Sequence, residues 1–264
     1  MNIFLRELRA NLKSLLIWSG IVILFSVVGF TKFSAFYENP ELLAILDSMS
    51  PAVMSAFGLN AFNLTTVSGF FGVIVLYFGL ILAIAAAMWG SDIVSKEERD
   101  KTVEFSLTLP VTRSGLITAK IAAAAVNCII LLLVTWGVTL VGAQRYQPDS
   151  GFYSFVAINI LSFLLIQMIF LALGIFLGCA MKQHKRAGSM AVSILLGCYI
   201  ASVLTDLSKD LGFLKYFSPF KYFEPAVLLR ESKLEPGFVL LSLAITAFFI
   251  AGAYLFYSKR DLYI

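Results

Sequence analysis

The sequence predicts an all-α membrane protein with six transmembrane helices and both termini in the cytoplasm. Three observations predict it. Of its 264 residues, 59% are hydrophobic and 14% charged, against about 45–50% and about 25% in soluble domains. The apolar residues gather into six runs of the length that a bilayer demands, since a hydrocarbon core of about 30 Å takes about 20 apolar residues in a helix. The basic residues divide unequally between the two sides that six crossings define. The N-terminal segment, the stretch 91–120, the turn 182–186 and the C-terminal tail hold 13 of the 20 Lys and Arg. Lys32, Arg145, Lys209, Lys215, Lys221, Arg230 and Lys233 lie on the other side, spread over longer loops. Cytoplasmic loops carry the excess of Lys and Arg, so the termini are placed inside. The net charge of +4 is explained by these flanks and asks for no nucleic-acid partner.

Residues 1–14 put Phe4, Leu5, Leu8 and Leu12 on one helical side and Arg6, Arg9 and Lys13 on the other. A basic amphipathic helix lies in the headgroup plane; the alternative is a plain charged flank of the first crossing. Span one covers 15–31 and reads as a retained anchor, because no small-residue cleavage site follows it. A mixed loop with Pro40 and Pro51 leads to span two at 67–90. Span three covers 115–142, with Lys120 near its start placed to snorkel. Span four (153–181), the basic turn KQHKR, span five (188–205), an aromatic-rich segment (206–236) and span six (237–257) complete the chain. Gly174 and Gly178 on span four, Ala83, Ala86, Ala87 and Gly90 on span two, and Ala122 to Ala125 on span three form small faces. Small residues let helices approach closely in lipid.

Several chemistries are excluded. No GxxxxGK[ST] loop occurs, so no phosphate cradle for ATP is present. His184 is the single histidine, and it has no partner for a triad or a metal set. Glu97 and Glu98 lie in a charged surface run, not in a pocket. Cys128, Cys179 and Cys198 sit inside apolar runs without a CxxC neighbour, against a disulfide framework. The span centres carry none of the ionisable residues that mark ion pathways. Asn127, Asn159 and Gln167 are their polar residues, read as interhelical hydrogen bonds. No catalytic, cofactor-binding or metal site is therefore expected, and any uphill transport must draw its work from a partner.

The place for that partner is Ser91–Lys120, SDIVSKEERDKTVEFSLTLPVTRSGLITAK. It is the longest polar interruption between two spans, with five basic residues (Lys96, Arg99, Lys101, Arg113, Lys120) and five acids (Asp92, Glu97, Glu98, Asp100, Glu104). Val103, Phe105, Leu107 and Leu109 alternate with polar residues as in a strand. Thr102 or Asp100 serves equally as a helix N-cap and Pro110 as a helix end. The residues leave both open.

Glu97-Glu98, then Lys101-Thr102-Val103-Glu104-Phe105, Leu107, Leu109-Pro110-Val111-Thr112-Arg113 and Lys120 resemble the cytoplasmic signature of ABC-2 type permeases. These are the membrane subunits of ATP-binding cassette exporters. The chain departs from the pattern at Lys101, where many members have Gly. The tract Phe217-Ser218-Pro219-Phe220-Lys221-Tyr222-Phe223 is similar to the family's outer segment. The resemblance implies one permease domain over 1–264, with an interfacial elbow helix at 1–14. It implies a short cytoplasmic coupling helix within 91–113, contacting the ATPase through Glu97, Glu98, Thr102, Glu104, Leu107, Pro110 and Arg113. It also implies an extracellular gate at 206–236 with Phe217, Pro219, Phe220 and Phe223. The implied partners are ATPase subunits that bind ATP and Mg, a second permease subunit and membrane lipid, in a bacterial plasma membrane. Two other classes stand beside this one. A membrane-embedded enzyme needs converging polar groups at depth. A non-transporting sensor or scaffold would use 91–113 as an ordinary partner site.

Overall fold

Long apolar runs without internal proline favour helix, because lipid offers the backbone no other partner. The computed structural model describes residues 3–37, 39, 41, 50, 62–99, 112–181, 183–207 and 209–259, with backbone alone for 97–99, 184, 185 and 209. Among the described residues it is helical throughout, without strands. The six long helices are α1 (Ile3–Phe33), α2 (Val67–Arg99), α3 (Arg113–Gln144), α4 (Ser150–Ala180), α5 (His184–Leu207) and α7 (Pro236–Lys259). Each is long and apolar enough to cross a membrane. Between α5 and α7 the chain forms two 3₁₀ segments, Lys209–Tyr216 and Pro219–Lys221, and the short helix α6 (Pro225–Glu231).

The helices outrun the apolar spans. The 33 residues of α2 correspond to about 50 Å at about 1.5 Å per residue. Ser91–Arg99 contains neither Gly nor Pro, so nothing stops the helix where the apolar run ends at Gly90. Likewise no helix end separates the amphipathic segment 1–14 from span one: α1 is continuous. Its buried line is Glu7, Asn11, Leu15, Val22, Ser26, Phe30 and Phe33, while Leu5 and Leu12 are exposed. The side of 1–14 turned into the bundle thus carries Glu7 and Asn11 beside the half-buried Ile3, Phe4 and Leu8.

At the centre, α2 packs along α4, the most extensive helix pair. The small faces noted in the sequence meet here. A Cβ on Gly90 would collide with the Leu171 carbonyl oxygen, and one on Gly174 with the Ala87 carbonyl oxygen. The GxxxG pair is therefore spent within the chain. Further out, α7 packs on α4, α1 on α3, and α5 on α2. Two thirds (67%) of the α2 and α4 spans is buried, but 11% of α7, so the outer helices turn most of their apolar surface outward. The polar residues at depth depart from expectation. Asn159 Nδ2 donates to the Phe155 carbonyl of its own helix at 2.8 Å, not across to a neighbour. Asn127 Nδ2 and both polar atoms of Gln167 have no hydrogen-bond partner among the described residues.

Candidate coupling site

The end of α2 and the start of α3 are the two roots of the polar stretch. Thr112 caps α3, its side chain accepting from the Gly115 amide at 3.1 Å. Two turns further on, Lys120 is fully buried, and its Nζ donates to the Ile93 carbonyl of α2 at 2.8 Å. It therefore does not snorkel, as the sequence suggested; it ties one root to the other. A buried ammonium needs an opposite charge, and α1 supplies it. Glu7, 1% exposed, forms an ion pair with Lys96 of α2 and lies 4.0 Å from Lys120 Nζ. Arg6 also donates to Glu7, at 3.3 Å. About two turns deeper along the same pair of helices, Trp89 Nε1 donates to Ser14 Oγ at 2.9 Å. The N-terminal part of α1 is thus fastened to both roots by one carboxylate.

The predicted contact residues divide. Glu97 and Glu98 lie on the last turn of α2, with only their backbone described. Thr102, Glu104, Leu107 and Pro110 lie outside the described residues. Arg113 opens α3, exposed, and its guanidinium donates to the Ser258 carbonyl at the end of α7 at 3.3 Å. Nearby, the Thr118 and Tyr254 hydroxyls lie 2.6 Å apart, a second tie between α3 and α7. Sequence reasoning missed Glu7. The available signal was its isolation: it is the only acid before Glu38, in a segment otherwise basic.

A match to the family model for the ABC-2 family transporter protein covers residues 1–262. The chain belongs to the ABC-2 transporter family. No curated protein sequence matches it. As an ABC-2 permease, it is a multi-pass membrane protein and the membrane domain of an ABC transporter. Membership of the ABC-2 family implies association with ABC ATPase subunits in general.

The second predicted region of the ABC-2 chain, 206–236, lies at the opposite end of the bundle from the coupling roots. Phe217 is 71% exposed, whereas Pro219, Phe220 and Phe223 are buried. Phe220 stacks on Phe170 of α4 and meets Tyr199 of α5 edge-on, at centroid distances of 5.4 and 5.6 Å. Ser218 Oγ donates to the Cys198 carbonyl at 2.7 Å, and Tyr222 OH to the Tyr216 carbonyl at 2.6 Å. Lys221 pairs with Asp206 and Glu224. Because those two carboxylates are 40% and 45% exposed, Lys221→Ala is expected to cost at most about 1 kcal/mol. Thermal unfolding of the purified protein measures it. A larger loss would mean that the ion pairs hold the segment more than the aromatic seat does.

Proposed function

We propose that the chain is the permease subunit of an ABC exporter, paired with a second permease subunit around a common path. Separate ATPase subunits bind ATP and Mg and seat against the stretch 91–113. The end bearing the termini is cytoplasmic, in keeping with the distribution of Lys and Arg. Closure of the ATPases displaces the stretch, and its two roots carry the displacement into the bundle. The observation that carries this reading is the buried Glu7–Lys96–Lys120 cluster. A stretch free to move on its own would need no such fastening. Displacing either root must move α1, because separating the charges would leave ammonium groups buried without a counter-ion. Spans one, two and five then rock together, since α5 packs on α2.

The test reverses charge on the stretch without touching the cluster. Glu98→Lys and Glu104→Lys are expected to reduce co-purification of the ATPase and to lower transport in parallel, while the melting temperature of the isolated permease stays the same. Full binding and transport in both variants would exclude this docking surface. Stimulation of ATP hydrolysis by a cargo separates a transporter from a sensor that merely recruits an ATPase.

A further inference from the structure

Against α4, the helices α5 and α7 leave a groove of about 570 Å³ between them. Its floor is Phe170 and Leu173 of α4, and its walls include Ile194 of α5 and Phe248 of α7. Tyr216, the last residue of the first 3₁₀ segment, and Phe217 also line it. The lining is almost wholly apolar and aromatic, and the volume falls in the range of about 300–1,000 Å³ typical of ligand pockets. Its depth can be placed. Ala244, Ile245, Phe248 and Phe249, which line it, lie eight to thirteen residues into α7 from Pro236, or about 12–20 Å at about 1.5 Å per residue. That is the depth of one leaflet, half of a hydrocarbon core about 30 Å thick. Phe217 and Phe248, both lining it, are each 71% exposed.

We infer that this groove binds one acyl chain of a glycerophospholipid, with the lipid phosphate beside Lys215. The charge at its rim selects this occupant. Lys215 is exposed at the same rim, with its ammonium 5.0 Å from the centre of the Tyr216 ring. A cation held at headgroup level over an aromatic residue, above an apolar slot, complements a phosphate joined to a hydrocarbon tail. The exposed aromatic residues of 206–236 then form the clasp of a lipid site. This binding does not depend on the exporter reading and is measured without ATPase or cargo.

The protein is reconstituted in phospholipid nanodiscs with a trace of phosphatidylglycerol carrying a photoactivatable diazirine on one acyl chain. Cross-linked peptides are then mapped by mass spectrometry, and a diacylglycerol with the same tail serves as the headless probe. Phosphatidylglycerol label is expected to concentrate on 213–222 and 244–249, several-fold above that on the exposed face of α1. Ala244→Trp, or Ile194→Trp from the opposite wall, fills the groove and should remove that excess while leaving the label on α1 unchanged. Lys215→Gln, at an exposed site that does not disturb packing, should lower the phosphatidylglycerol label several-fold but not the diacylglycerol label. Equal density on the groove and on α1 would reveal annular lipid only and overturn the proposal. So would a label indifferent to both tryptophans, a groove cross-linked to a second copy of the chain, or a Lys215→Gln effect shared equally by both probes.

Discussion

Replacing Glu7 with Lys is expected to lower the unfolding temperature sharply and to abolish ATPase-driven transport. Glu7 is the counter-charge for Lys96 and lies 4.0 Å from Lys120, with Glu7 and Lys120 side chains only 2% and 1% exposed. Removing one partner of a buried pair costs about 3–5 kcal/mol, because the remaining charge has lost both water and counter-ion. A third ammonium in the same space adds repulsion. Glu7→Gln separates stability from coupling. It keeps the shape and a hydrogen-bond acceptor but removes the charge, so it should fold at reduced stability and lose transport by a larger factor than it loses ATPase binding. Exchanging the charges, Glu7→Lys with Lys96→Glu, should recover part of the stability of Glu7→Lys, since one pair is restored and Lys120 keeps its bond to the Ile93 carbonyl. Thermal unfolding of the wild type, Glu7→Lys, Lys96→Glu and the exchanged pair forms a double-mutant cycle. Additive effects for Glu7 and Lys96, with transport intact in Glu7→Lys, would remove the cluster from the coupling route.

How much of this was legible in the sequence depends on the range of the interaction. The six crossings are written in local composition, and each predicted span lies within or nearly coincides with a helix. Helix ends are less legible. Hydropathy stops span two at Gly90, yet backbone propensity carries α2 to Arg99, because SDIVSKEER is polar without being a helix breaker. The charge cluster was not legible by periodicity at all. On 1–14 the pattern of Leu and Arg describes an interfacial helix, but the packed side contains Glu7 and Asn11. Their neighbours, including Lys96, lie far along the chain, and no window can see them. Lys120 misled for the same reason: a lysine near a helix end snorkels by default, unless a distant carboxylate makes the interior acceptable. The small faces were legible as packing surfaces, and the partner of each followed only from the fold.

Enlarging Gly174 is expected to be the most damaging small change in the membrane core, and the surrounding glycines give it an internal scale. In an exposed helix, Gly→Ala normally stabilises by about 0.5–1 kcal/mol, because Ala loses less conformational freedom on folding. Gly197, with nothing within 4 Å of an added Cβ, should behave this way and so serves as the control. At Gly174 the added atom meets the Ala87 carbonyl oxygen and lies 2.9 Å from the Ser91 amide nitrogen. Both are backbone, so no side chain can rotate away. Gly90 is opposed in the same way by the Leu171 carbonyl. Relief requires α2 and α4 to separate over the length of their contact, and overpacking of this kind costs about 1–3 kcal/mol, occasionally more. Gly178 is milder, with its nearest atom, the Ser91 carbonyl oxygen, at 3.0 Å. The melting temperatures should therefore rank Gly197→Ala highest, then Gly178→Ala, with Gly90→Ala and Gly174→Ala lowest, and Gly174→Leu below all of them. Function should fall faster than stability along this series. Ser91 and Lys96 share the last turns of α2, so pushing α2 off α4 at Gly174 also pulls Lys96 away from Glu7. A flat ranking would mean that the two central helices are not held at backbone contact, and the rigid link between the coupling roots and the bundle would go with it.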